Sequence, residues 1–254
     1  MSGGIPVREL DYSKKITAAG VKLLRFVCPE EGFVTCQGCC FDGENWVVAF
    51  NRFDESGEEK TLLCKYDPKG DLVKTSNGVL SLEHANNITY LPERAAYYVT
   101  SCHGTVRECW NGYSVVDRDS LEVLEKGNLP KPFFAMGYCP ERKAYASGEW
   151  AGQVLDFWDE DRILTLSKDV VQPKTLSQGV FADKEHVWFV RSTQNGAHQE
   201  FRVYDWDGKL SACIPLDLEN DVESESVNFI DDTVYVTSNG GWYSDLFRID
   251  FFQE

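Results

Sequence analysis

The sequence predicts an all-β protein, a five-bladed β-propeller closed by a strand from its own N-terminal region. Three observations carry the prediction. A strand–turn–strand pattern recurs five times. Each recurrence ends its third strand on an apolar residue followed by Asp. The last recurrence stops before a fourth strand, while a strand-like run stands unclaimed upstream of the first.

The recurrences open on a small or polar pair: Gln37-Gly38, Ala85-Asn86, Met136-Gly137, Gln178-Gly179 and Ser226-Val227. Their spacings of 48, 51, 42 and 48 residues match a blade of about 40–50. Each pair leads into a short apolar strand: Cys39-Cys40-Phe41, Ile88-Thr89-Tyr90, Tyr138-Cys139, Val180-Phe181 and Asn228-Phe229-Ile230. Turns rich in Asp, Gly and Pro follow, which is hairpin chemistry. Second strands are expected over 46–50, 96–100, 143–147, 186–190 and 233–237, rich in Val, Tyr, Trp and Phe. Third strands end at Tyr66-Asp67, Val116-Asp117, Trp158-Asp159, Tyr204-Asp205 and Ile249-Asp250, where Asp suits the first position of a turn. Fourth strands are expected over 72–75, 121–124, 163–166 and 210–214.

Residues 21–27 supply the missing fourth strand, which hides an edge that would otherwise recruit another chain. Residues 1–20 are an N-terminal extension. Within it Glu9-Leu10-Asp11 mimics a third-strand ending, which leaves a six-bladed ring as the alternative. No stretch sustains a helical apolar period, and no linker divides residues 1–254, so one domain is expected.

Composition narrows the function. The 25 Lys and Arg face 41 Asp and Glu, a net charge of −16. Such a surface repels phosphate backbones and anionic headgroups, so nucleic acid and membrane are not expected partners. With no basic and apolar leader, the expected location is cytoplasmic. The nine cysteines then read as reduced thiols. Cys36, Cys39 and Cys40 lie in a strand pattern, so buried packing is preferred over a metal cluster. Cys102-His103 and Cys109 share one loop and could hold a metal or a disulfide.

In a propeller the first strands begin at one mouth of a central channel. That mouth would gather Gln37, His84, Asn86, Met136, Gln178 and Glu225. Loops between second and third strands would add Arg52, His103, Glu149, Trp150, Arg191, His198, Trp242 and Tyr243. Converging polar groups inside an aromatic rim are the default ligand site. The opposite mouth, built from tight hairpins, is expected to be chemically poor. His84 with Glu225 is the candidate acid–base pair, a carboxylate orienting the imidazole. Arg52 and Arg191 are candidates to clamp an acidic ligand.

The segments Gln37-Gly38-Cys39-Cys40-Phe41-Asp42-Gly43, His84-Ala85-Asn86-Asn87-Ile88-Thr89-Tyr90 and Glu223-Ser224-Glu225-Ser226-Val227 resemble repeat starts of the NHL-, YncE- and lactonase-like propellers. The resemblance covers most of the chain and bears on the fold. The lactonase-like members imply a divalent metal on the axis, for which Glu225, Asn86 and Asn228 have suitable oxygens. Otherwise no cofactor is expected. Val34-Thr35-Cys36-Gln37-Gly38 is also similar to the opening motif of the five-bladed glutaminyl cyclases, with one extra residue. The later Trp- and Glu-containing motifs of that family find no match. The functional expectation is a propeller that binds a small molecule or short peptide at the channel mouth. The alternatives are a lyase, cyclase or hydrolase using His84 and Glu225, and a protein-interaction scaffold using the Trp150 and Trp242 rim.

Overall fold

The computed structural model describes residues 4–101, 110–170, 174–193, 195–218 and 222–254. Every extended element is a β-strand, and three strand-order runs repeat the same meander. The first comprises β2 (Thr35–Phe41), β3 (Trp46–Phe53), β4 (Glu59–Tyr66) and β5 (Leu72–Thr75). The second comprises β6 (Asn87–Leu91), β7 (Ala96–Ser101), β8 (Gly112–Asp117) and β9 (Val123–Asn128). The third comprises β10 (Ala135–Cys139), β11 (Ala144–Gly148), β12 (Val154–Asp159) and β13 (Leu164–Asp169).

The remaining strands form one eight-stranded sheet. Half of it is a further meander of β14 (Leu176–Ala182), β15 (His186–Ser192), β16 (Gln199–Asp205) and β17 (Leu210–Asp217). The other half runs β18 (Ser224–Ile230), β19 (Thr233–Asn239), β20 (Tyr243–Gln253) and then β1 (Ile16–Val27). β1 therefore takes the fourth-strand position. It pairs antiparallel with β20 from Ile16↔Gln253 to Val27↔Tyr243, and a short parallel contact, Ala18↔Leu216, joins the two halves. The expected closing strand over 21–27 is present and five residues longer at its start. Arg25 and Lys22 seal the pairing by donating to Asp245, Arg25 with a bidentate grip at 2.7 and 2.9 Å.

First strands pack against one another in the cyclic order β2, β6, β10, β14, β18 and back to β2. Five apolar clusters lie between successive units, one at each junction. Trp46, Trp158 and Trp188 anchor three of them, each nearly or fully buried. This is the β-propeller arrangement, in which each sheet faces its neighbours and the first strands surround an axis.

The turns explain why the repeats are legible. Asp67, Asp117, Asp159 and Asp205 each accept two backbone amides of the following turn through Oδ1. Asp250 departs from the pattern: β20 continues through it to pair with β1, and Arg248 holds its carboxylate at 3.1 Å. Two fourth strands begin later than expected, at Val123 and Leu164. Leu121 and Arg162 hold φ of 62° and 64°, so residues read as strand belong to the turn.

The N-terminal segment does not form the third-strand ending that its sequence mimics. Val7–Glu9 is a 3-10 turn and Leu10 enters the apolar core beside Trp188 and Phe251, so no third strand ends at Asp11. Among the described residues no helix is long and apolar enough to cross a membrane.

Candidate functional site

At the mouth where first strands begin, three of them are irregular. Pairing skips between Cys36 and Cys39, between Ser177 and Gly179, and between Ser224 and Ser226. The residues left over are Gln37 with Gly38, Gln178, and Glu225. A bulge adds one residue to a strand and re-aims its side chain. Gln37, Gln178 and Glu225 are all buried by this means, at 5%, 4% and 1% exposure. Gly38 is required where it stands, because an added Cβ would lie 2.8 Å from the Ala85 carbonyl that its amide binds.

Gln178, from the fourth unit, donates its amide to Glu223 and reaches Ser192 Oγ at 3.3 Å. Glu223 precedes β18 and Glu225 lies within it. Burial pushes Glu223 up to about 7, against the pull of the Gln178 hydrogen bond and the nearby His84 charge. Burial also drives Glu225 well above the usual carboxylate range, helped by repulsion from Glu223 and opposed by a hydrogen bond from Asn239. Glu225 Oε1 is buried with no hydrogen-bond partner among the described residues. Two carboxyls in one low-dielectric site resist losing both protons. Burial thus favours the neutral form of both carboxyls, more strongly at the fully buried Glu225 than at Glu223.

His84 reaches this cluster from the first-to-second unit connection. Its Nδ1 is 2.7 and 2.8 Å from the two oxygens of Glu59, so Glu59 and not Glu225 orients the imidazole. The connection is strained around it: Glu83 and Ala85 hold φ of 57° and 45°. A buried pair on β3 and β4 secures it. The Thr61 hydroxyl, with one proton to share, stands 2.7 Å from Asn51 Oδ1 and 3.0 Å from the Glu83 carbonyl, and the Asn51 amide donates to the His84 carbonyl at 2.7 Å.

Other expected residues fall in different surroundings. Asn86 is buried, donates to the Phe134 carbonyl at 3.4 Å, and leaves Oδ1 without a partner among the described residues. Met136 is core, its carbonyl taken by Asn87 at 2.8 Å. Arg191 is buried and engaged by Thr175, Ser177 and Ala151, so its donors are used within the protein and it does not clamp an anion as expected. Arg52 lies 5.1 Å over the Phe33 ring, within the first unit. Glu149 accepts the Gly152 amide at its carbonyl, and Trp150 meets Trp110 edge-on at 5.9 Å. Tyr243 is covered by Arg25 at 3.7 Å and contacts the exposed Trp242. His198 is exposed on the fourth unit. His103, Cys102 and Cys109 lie outside the described residues.

Of the three oxygen donors expected for an axial cation, Glu225 Oε1 and Asn86 Oδ1 have no partner among the described residues. Asn228 is occupied by the Cys39 carbonyl and the Phe41 amide of the neighbouring strand. Among the described residues no group of three or more His, Cys, Asp or Glu side chains could hold a metal ion. Cys36, Cys39 and Cys40 are buried, and burial pushes their thiols far up, as expected for packing residues.

Sequence reasoning missed Glu223, Glu59 and Trp110. Glu223 was within reach, since it lies two residues before Glu225, which was recognised.

No family model and no curated protein matches this sequence. Solved structures do. The glutaminyl cyclase of Myxococcus xanthus superposes with a TM-score of 0.63 at 10% identity, over 95% of this chain and 100% of that one. The hydrazine synthase of Kuenenia stuttgartiensis aligns with a TM-score of 0.48 at 13% identity, over 86% of this chain and 57% of that one. At such identity the cyclase likeness establishes a shared β-propeller fold and nothing finer.

Proposed function

We propose that this chain is a single-domain, five-bladed propeller that binds a small molecule or short peptide at the mouth where its first strands begin. The cyclic packing of five first strands supports the count of five. The observation that carries the binding site is Glu225 Oε1, buried beside the Gln178–Glu223 contact and lacking a partner among the described residues. A buried polar atom of this kind calls for a partner. A protonated Glu225 donates to a carbonyl or similar acceptor, while Glu223 accepts from an N–H. The ligand that suits the pair carries an amide or an amine beside a carbonyl. The acidic composition and the unbridged described cysteines suit a cytoplasmic protein without nucleic-acid or membrane partners.

A second reading is catalytic. A carboxyl that titrates near 7 is matched to proton transfer at neutral pH. In this reading Glu223 and Glu225 move the proton, and His84, held by Glu59, adjusts the charge on Glu223. This amends the expected His84–Glu225 pair. The reaction would be of lyase, cyclase or hydrolase type, and a propeller of this shape does carry cyclase activity in Myxococcus xanthus.

A thermal-shift screen of small amides, amino-acid amides and dipeptides tests the proposal. A ligand at 100 times its Kd raises stability by about 2.7 kcal/mol. The expected hit stabilises the wild type and loses most of that effect with Glu225→Gln or Gln178→Ala. A hit indifferent to both replacements would place binding elsewhere.

A further inference from the structure

The opposite mouth of the channel was expected to be chemically poor. It is instead a funnel of about 250 Å³ walled by one aromatic ring from each first strand: Phe41, Tyr90, Tyr138, Phe181 and Phe229. All five rings are partly exposed. Four stand directly across from a second aromatic on the following strand, in the pairs Phe41↔Trp46, Tyr90↔Tyr97, Tyr138↔Tyr145 and Phe181↔Trp188. Phe181 and Phe229 also stack at 4.3 Å across neighbouring units.

The charged residues that line the funnel itself are both acidic. Glu141 and Asp183 line it, and no Lys or Arg does. Its other side-chain polar groups are largely engaged: Asn228 holds the Cys39 carbonyl and the Phe41 amide, and Thr89 Oγ1 accepts the Tyr138 amide at 3.3 Å. Aromatic faces and carboxylates therefore define what the funnel selects. A cation is drawn both to the negative face of a ring and to a carboxylate. This mouth already shows the first attraction internally, since Arg118 lies 5.8 Å from the centre of Tyr90. The volume is just below that of pockets for drug-sized ligands, about 300–1,000 Å³, and suits a head group. A groove of about 520 Å³ continues from it and shares Glu141, Phe181, Asp183 and Phe229.

We infer that the lower mouth of the channel is a second binding site, distinct from the carboxylate cluster, and that it takes an organic cation of the trimethylammonium type. The head group sits among Tyr138, Phe181 and Phe229, with Glu141 and Asp183 supplying the counter-charge. The remainder of the ligand extends along the adjoining groove.

Choline and its neutral isostere 3,3-dimethyl-1-butanol are the probes, compared by calorimetry at low salt. Choline is expected to bind at least about tenfold more tightly than the neutral alcohol. Tyr138→Leu and the double replacement Glu141→Gln with Asp183→Asn are each expected to remove most of that preference while leaving the alcohol unaffected. Thermal unfolding of each variant checks that it is folded, and the carboxamide pair serves if the tyrosine replacement is not. Equal binding of the two probes, no choline binding, or a choline affinity that survives the carboxamide pair would overturn the inference. So would an affinity that falls with Glu225→Gln, because the cation would then belong to the other mouth.

Discussion

The Gln178 side-chain amide, from one unit, donates to the Glu223 carboxylate that opens the next first strand, 45 residues away. The contact ties two neighbouring units together two residues along the chain from the buried Glu225. It joins ring closure to the chemistry of the mouth, so the same residues report on both.

The first prediction concerns pH. Burial raises Glu223 from 4.5 to about 7, so between those values the folded state holds a proton that the unfolded state has released. Its contribution to stability is full below about 4.5 and is lost as pH rises through about 7. Allowing for its partial exposure, the loss is about 2 kcal/mol. Glu223→Gln should flatten this part of the stability profile, measured by urea unfolding at pH 5 and pH 8. An unchanged slope would contradict the assignment.

The second concerns Asn87, which is 2% exposed and joins three first strands. It donates to the Met136 carbonyl at 2.8 Å and accepts the Val180 amide at 3.1 Å, 93 residues away. Asn87→Ala leaves a buried carbonyl and a buried amide without partners, at about 1–3 kcal/mol each. Denaturant titration should show a loss of about 2–6 kcal/mol in total, together with faster amide exchange at Val180.

The third concerns Asp42. Burial opposes its charge, yet hydrogen bonds from Tyr97, the Asn45 amide, Arg118 and the Glu44 amide hold it well below the usual carboxylate range. Lys65 stands 3.1 Å away and is itself nearly buried. Asp42→Ala strands that ammonium in the interior and should cost about 3–5 kcal/mol. In the wild type the depressed Asp42 contributes stability above about pH 4 that is lost on acidification.

The fourth concerns ring closure. Phe26, on β1, is fully buried between the last unit and the first. Phe26→Ala should cost about 3–5 kcal/mol. Deleting residues 16–27 should expose β20 as an open edge and give oligomers by size-exclusion chromatography. A monomeric deletion product would show that the edge is protected in another way.

Much of this was legible in the chain because it is local. Aromatic and β-branched runs mark strands, and an Asp that caps its own turn marks where they end, as Asp67, Asp117, Asp159 and Asp205 do. The missing fourth strand and its donor were legible by counting. The site was legible only in part. Gln178 and Glu225 stood out by their place in the repeat, but His84 was matched to the wrong carboxylate, since Glu59 lies 25 residues away on another strand. Arg191 read as a ligand clamp because its burial by Thr175 and Ser177 leaves no mark in its neighbours along the chain.

The sequence alone determined the all-β character, the repeat and its length, the closing strand and the acidic surface. These follow from backbone preference, turn chemistry and charge, which act within a few residues. Tertiary structure decided which first strands bulge, which carboxylates burial shifts upward, and that five aromatics spaced through the chain become one funnel. Those outcomes depend on which distant groups the ring brings within a few ångströms, in surroundings too dry to screen them.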